Sequence, residues 1–257
     1  MRILVTFAVE AEFAPWRKRH DFHEIPTSPC ENGFLTRING IDVIVGLTGI
    51  GPAAAASKIC DFTWGEQLDL CISSGFAGAL RHEHSVGDLL AAKEILPDRP
   101  RALPDGRKVV SSKRLLQIAE ACGAKVVDRF YSSPSTIRTA TEKASLRELG
   151  DAVEMESFEV MSEALAWVPE AIAIRAISDS AVEDLPLDFA AVVTEQGQLS
   201  MTRLAGELIR KPTAIPGLVR LGRKSAEAAK RLADFLDSYI PAVAHSSRLK
   251  TALANLT

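Results

Sequence analysis

Two spacings of apolar residues alternate along this chain. Short continuous or alternating runs mark strands, and apolar positions recurring every three or four residues mark helices. Residues 3–8 read as a first, central strand. Residues 9–19 read as a helix with Glu10 and Glu12 in its first turn, where acids favour the helix dipole. Residues 33–38 and 41–47 read as a hairpin about Asn39-Gly40, a strong turn signal. After Gly49-Ile50-Gly51-Pro52 comes a helix over 53–64. An apolar strand over 68–73 then runs into the glycine loop Ser74-Gly75-Phe76-Ala77-Gly78-Ala79. Further strands are expected at 86–95, 125–130 and 152–154, and helices at 113–122, 141–149 (with Thr141 as cap) and 157–167. The stretch 96–108, rich in Pro, Arg and Asp, reads as a surface loop, and 132–136 as another. Helical pattern returns over 187–209 with a break near Gly197. A long helix over 216–240 precedes a polar tail. Strands and helices mix in an α/β pattern with some antiparallel pairing.

One strand differs from the rest. Ala171-Ile172-Ala173-Ile174-Arg175-Ala176-Ile177-Ser178-Asp179 is apolar enough to be buried on both faces, yet it ends in an acid. A carboxylate there is costly unless it is partnered or working. Ligands of open α/β sheets bind at the carboxyl ends of strands. Asp179 is therefore a candidate proton-handling group. On the strand alone, a helix cap or a loop acid explains it equally well.

The chain has 257 residues, 47% of them hydrophobic and 25% charged, which fits one large α/β domain or two small ones. Its net charge is -3 and no long basic block occurs, which argues against nucleic acid as the main partner. Cysteines stand at 30, 60, 71 and 122 with no Cys-x-x-Cys pair, so neither a zinc site nor a disulfide framework is expected. The N-terminal apolar run is too short for a signal peptide, and no stretch of 18 apolar residues exists. A reducing, cytoplasmic setting follows by elimination.

Acids recur at the ends of other elements. Glu12 follows the first strand, Glu154 and Glu156 bracket Met155, and Asp179 follows the strand at 171–178. Several acids converging at strand ends can supply a general base, a general acid and a hydroxyl clamp. Each alone reads as a solvated surface acid; the joint pattern is what points to chemistry. Gly49-x-Gly51 and Gly75-x-x-Gly78 can let a ligand approach the backbone, but neither is a dinucleotide or phosphate-loop fingerprint. His82-x-His84 lacks a nearby third ligand and reads as a polar loop.

Ala8-Val9-Glu10-Ala11-Glu12, Ser74-Gly75-Phe76-Ala77-Gly78, Val86-Gly87-Asp88, Val153-Glu154-Met155-Glu156 and Arg175-Ala176-Ile177-Ser178-Asp179 occur in that order. Together, over roughly residues 1–210, they resemble the purine nucleoside phosphorylase / nucleosidase superfamily. The nearest pattern is its 5′-methylthioadenosine/S-adenosylhomocysteine nucleosidase branch. The resemblance implies one α/β domain with a mixed, partly barrel-like central sheet surrounded by helices, and a homo-oligomer, with a dimer favoured. It implies a purine nucleoside as small-molecule substrate and needs no metal or organic cofactor. Carried over residue by residue, Asp179 protonates the leaving purine, and Glu156 clamps the ribose hydroxyls. Met155 packs on the sugar. Glu12 orients or deprotonates the attacking water, with Arg175 in that network. Phe76, Ala77, Gly78, Thr136 and Ile137 lie about the substrate. The chemistry agrees: N-glycosidic cleavage passes through an oxocarbenium-like state. A purine leaves poorly as an anion, so an acid with a raised pKa is expected, and desolvation at an apolar strand end can supply one.

The nucleophile is read from one loop. Resembling phosphorylases carry an Arg and a Ser where this chain has Ser73 and Phe76. Losing two anion-binding groups weakens a phosphate site and favours water. Phosphorolysis, and nucleoside binding without catalysis, stay as alternatives. Phe76 also departs from the nucleosidase pattern, which has a small residue there. The C-terminus is a second departure. Residues 1–211 form the nucleosidase-like unit, 212–240 a helical extension and 241–257 a polar tail. Leu218, Leu221, Ser225, Ala228, Ala229, Leu232, Leu236 and Tyr239 fall on one helical face, and Arg220, Arg223, Lys224, Lys230 and Arg231 crowd the other. Packing on the body or on a second subunit is the simpler reading. Peripheral membrane contact through 212–240 is the sharper one. The segment, with Leu185-Pro186-Leu187, also resembles the tail of a hopanoid-associated branch linked to cleavage of a lipid-linked adenosine.

Overall fold

In the computed structural model, residues 1–25, 32–63, 67–98, 109–188, 191–194 and 197–254 are described. Cys30, Trp64 and most of the expected 96–108 loop fall outside them. Ten strands form one sheet in the order β2-β3-β4-β1-β5-β10-β6-β9-β8-β7. They are β1 (Arg2–Phe7), β2 (His23–Glu24), β3 (Gly33–Ile38), β4 (Ile41–Leu47), β5 (Leu70–Ser73), β6 (Phe76–Ala79), β7 (Leu89–Pro97), β8 (Lys125–Ser132), β9 (Ala152–Glu154) and β10 (Ala171–Asp179). An antiparallel pairing of β7 with β10 closes the last five strands into a barrel.

β10 is the seam. It is buried along its whole length, running parallel to β5 and then to β6. This burial explains its unbroken apolar run. Its alternation sorts two cores: Ile172, Ile174 and Ala176 face one hydrophobic cluster, Ala171, Ala173 and Ile177 the other. Helices α1 (Glu10–Arg17), α3 (Lys113–Ala121) and α7 (Ile215–Ala254) cover the first; α2 (Pro52–Thr63) and α5 (Ser157–Ala164) cover the second. α4 (Ala140–Leu146) and α6 (Met201–Arg210) lie outside these layers.

Several expectations change. The glycine loop after β5 is a turn followed by strand β6, which pairs with β9 and β10. α4 is capped by Thr139 rather than Thr141: its hydroxyl accepts from the Glu142 N–H while the Glu142 carboxylate accepts from the Thr139 N–H. Among the described residues of the helix expected over 187–209, α6 is the only α-helix. Upstream, Val193 and Leu199 form an isolated bridge about Gly197 at φ 74. α7 does not stop before Pro241 but runs through it to Ala254. The proline removes one backbone hydrogen bond. Burial of Tyr239, Ile240, Val243 and Ala244 against the first core outweighs that loss.

Candidate functional site

The carboxyl ends of β1, β9 and β10 and the start of β6 converge on a cavity of about 240 Å³. Glu12, Glu154, Glu156 and Asp179 line it together. Ala77, Gly78, Thr136, Ile137, Met155 and Phe76 line it as well. Arg175 does not: it lies behind the wall, 1% exposed. A larger cleft of about 510 Å³, beyond the 132–136 loop, contains none of these four acids.

Glu12 is held by backbone. Its Oε2 accepts from Ala8 N at 2.8 Å and Val9 N at 3.3 Å, and its Oε1 from Phe76 N at 2.8 Å. The last contact requires the chain to pass close by at Gly75. A Cβ there would meet Oε1 at 2.8 Å, and φ is +143°, so glycine is demanded twice. Burial pushes the Glu12 carboxyl up, against the pull of the Phe76 amide and the Arg175 charge.

Glu154 closes the start of α5. Its Oε2 accepts from Glu156 N at 2.9 Å, Ser157 N at 2.6 Å and Arg175 at 2.7 Å. Arg175 also donates to the Ser73 hydroxyl at 3.4 Å. So the arginine is anchored chiefly on Glu154, not on Glu12. Ser73 points at Ser157 and Arg175, away from the cavity.

Glu156 Oε1 accepts from Gly51 N at 2.8 Å. Burial, and then the neighbouring Glu154, push its carboxyl from 4.5 to about 8. It is thus largely protonated at neutral pH and able to donate a hydrogen bond. The sign is unusual for a glutamate: a raised folded-state pKa stabilises below 4.5 and loses that contribution as pH rises through about 8. Wild-type melting temperature should therefore fall across that window. Glu156→Gln, which cannot ionise, should flatten the fall; an unchanged slope in thermal melts would count against the shifted carboxyl.

Asp179 sits where β10 bulges. Ile177 pairs with Ala77 and Asp179 with Gly78, so one residue is skipped and the acid is turned towards the cavity. A Cβ on Gly78 would come within 2.9 Å of Asp179 Oδ2, which is why the position is glycine. Ser178 Oγ donates to Oδ1 at 2.7 Å. Lys143, from α4 and fully buried, donates to Oδ2 at 2.5 Å. The apolar surroundings expected for Asp179 are thus broken by a buried ammonium. Sequence spacing holds no signal for Lys143. Leu185, Leu221 and Ser225, from the 185–187 turn and α7, complete the cavity and were also missed. Among the described residues no group of three His, Cys, Asp or Glu is placed to hold a metal ion.

The chain belongs to the phosphorylase superfamily, whose family model matches residues 2–210. It is 27% identical over 238 residues to a 5′-methylthioadenosine/S-adenosylhomocysteine nucleosidase of Bacillus cytotoxicus, covering 82% of this chain and 99% of that one. The enzyme of that name from Colwellia psychrerythraea is 26% identical over 204 residues, covering 67% and 84%. Among solved structures, the same nucleosidase from Campylobacter jejuni superposes with a TM-score of 0.68 at 18% identity, covering 93% of this chain and 98% of that one. Native futalosine hydrolase of Helicobacter pylori gives 0.66 at 18%, covering 92% and 97%. The fold is that of the nucleoside phosphorylases: a mixed sheet closed into a five-stranded barrel and wrapped by helices.

Proposed function

We propose that the chain hydrolyses the N-glycosidic bond of a purine nucleoside, with an adenine nucleoside bearing a 5′ substituent favoured, and releases the free base. The observation that carries this is the lining of the cavity. Four acidic side chains line it and, among the described residues, no Lys or Arg does. Such a wall offers no cation to hold a phosphate dianion and suits a neutral water as nucleophile. The two cations behind the wall are already engaged, Arg175 by Glu154 and Lys143 by Asp179.

The roles follow from position. Glu12, held rigidly by three amides and kept basic by no cation in direct contact, takes a proton from the attacking water. Glu156, with Met155 beside it, clamps the ribose hydroxyls and fixes the sugar. Asp179 serves the leaving base, with Gly78, Thr136 and Ile137 lining the same cavity. Names of the sequence relatives support hydrolysis over phosphorolysis.

A second reading concerns the 5′ group. Leu185 and Leu221 line the cavity where the 185–187 turn meets α7, with Gly217 close against Pro186. Ile215 and Val219, on the first turns of α7, are about half exposed. This supports a long apolar 5′ substituent, delivered from a membrane surface through residues 212–225. The rest of the 212–240 segment is committed to the core, with Ala228, Ala229, Leu232 and Leu236 buried. No helix among the described residues is long and apolar enough to cross a membrane.

The test is base release from methylthioadenosine, adenosylhomocysteine, adenosine, inosine and futalosine, with and without phosphate, and from a 5′-alkyl adenosine in anionic vesicles. Free ribose products at a phosphate-independent rate are expected. A sugar 1-phosphate would overturn hydrolysis, and binding without any base release would make the chain a nucleoside-binding protein. Preference for the vesicle-borne substrate decides for the second reading.

A further inference from the structure

Lys143 is a fully buried lysine outside every sequence motif. Its Nζ meets three oxygens: Asp179 Oδ2 at 2.5 Å, Ser180 O at 2.8 Å and Glu183 O at 2.9 Å. Two of these are backbone carbonyls, which only accept. An ammonium satisfies the set by donating three times. A neutral amine satisfies it equally, donating to the two carbonyls and accepting from a protonated Asp179. The proton between Nζ and Oδ2 can therefore move without breaking a hydrogen bond. The frame around it is fixed: Ala140 N donates to Asp184 Oδ1 and Leu185 N to Arg138 O, tying α4 to the turn after β10. The charged groups about Lys143 are Asp179 on β10, Glu183 in that turn and, across Glu183, Lys224 on α7.

We propose that Lys143 is the proton reservoir for Asp179, a positioning residue that acts through the aspartate on the leaving purine. The inference rests on Asp179 being the acid of the proposed hydrolysis. As the C1′–N9 bond breaks, its electron pair goes to the purine. The Asp179 carboxyl gives its proton to N7, and the Lys143 ammonium supplies that proton to the carboxyl, becoming a neutral amine. Water attacks C1′ and yields one proton to Glu12. Return of that proton through the cavity to Asp179, and from it to Lys143, resets both groups, so the net reaction is addition of water across the glycosidic bond.

Lys143→Arg separates charge from relay, because a guanidinium keeps its cation but does not give up a proton. Lys143→Met removes both. Each is compared with wild type on a purine nucleoside and on 4-nitrophenyl riboside, whose leaving group departs without protonation, after melting curves confirm folding. Both variants should lose on the order of 10²-fold or more in kcat on the purine substrate, with KM little changed. They should lose far less on the nitrophenyl substrate. Wild-type kcat in Lys143→Arg, or equal losses on both substrates, overturns the relay. Asp179→Asn run in parallel distinguishes the failures: if it too is active the acid assignment falls, whereas an inactive Asp179→Asn beside an active Lys143→Arg removes only the reservoir.

Discussion

Asp179→Asn should abolish turnover of a purine nucleoside while leaving the protein folded and able to bind. The amide fits the same space against Gly78, where a Cβ would come within 2.9 Å of Asp179 Oδ2. Its carbonyl can still accept from Lys143, which also keeps Ser180 O and Glu183 O, so the lysine keeps all three hydrogen bonds although its counter-charge is lost. What is lost, on the proposed function, is the group that carries a proton to the leaving base. General acid catalysis of this kind contributes on the order of 10²–10⁴-fold, and the loss in kcat should fall in or above that range. Base release measures the rate. Calorimetric titration with a non-hydrolysable purine analogue measures binding, which should change little. Near wild-type turnover would sink the assignment of Asp179. Loss of binding together with rate would instead mean that the carboxylate holds the base in the ground state.

The elements that were legible in sequence are those whose pattern has a single local cause. The hairpin at Asn39-Gly40 is one: both residues have positive φ, 50 and 78, as its tight turn demands. β10 is another, since only a strand covered on both faces tolerates so unbroken an apolar run. Glu12, Glu156 and Asp179 were legible because each follows a strand and strand ends gather ligands. What escaped depends on partners distant in sequence. Gly75 and Gly78 read as a loop, yet each is glycine because a carboxylate from another element, Glu12 or Asp179, lies against it. Lys143 read as one more polar residue on a short helix. Its burial is set by the turn at 180–183, 37 to 40 positions away. Pro241 read as a stop because local propensity says so. The contacts of Tyr239, Ile240 and Val243 with the first core override it. Arg175 entered only through the family resemblance, which placed it in the water network of Glu12, whereas its hydrogen bond goes to Glu154. Spacing could not choose between Glu12 and Glu154.

That partnership sets the largest expected effect on stability. Arg175 and Glu154 are both sealed from solvent, with side chains 1% and 0% exposed and 2.7 Å apart. Removing one member of such a pair strands the other and typically costs about 3–5 kcal/mol. Arg175→Met should therefore lower the melting temperature by roughly 10 °C. Glu154→Gln in the same chain should recover much of it, since a neutral amide tolerates burial beside Met better than a lone carboxylate does. The double-mutant cycle then measures the coupling directly. The same three proteins decide what the arginine does for catalysis. If Arg175 acts by holding Glu154, and through it the N-terminus of α5 with Glu156, activity should return in step with stability. If it orients the attacking water through Glu12, whose carboxyl it pulls down across the wall, stability will return and activity will not. The hydrogen bonds favour the first outcome: Glu154 Oε2 receives the Arg175 guanidinium and the amides of Glu156 and Ser157 together, so losing the cation loosens the segment that carries Glu156, the proposed ribose clamp.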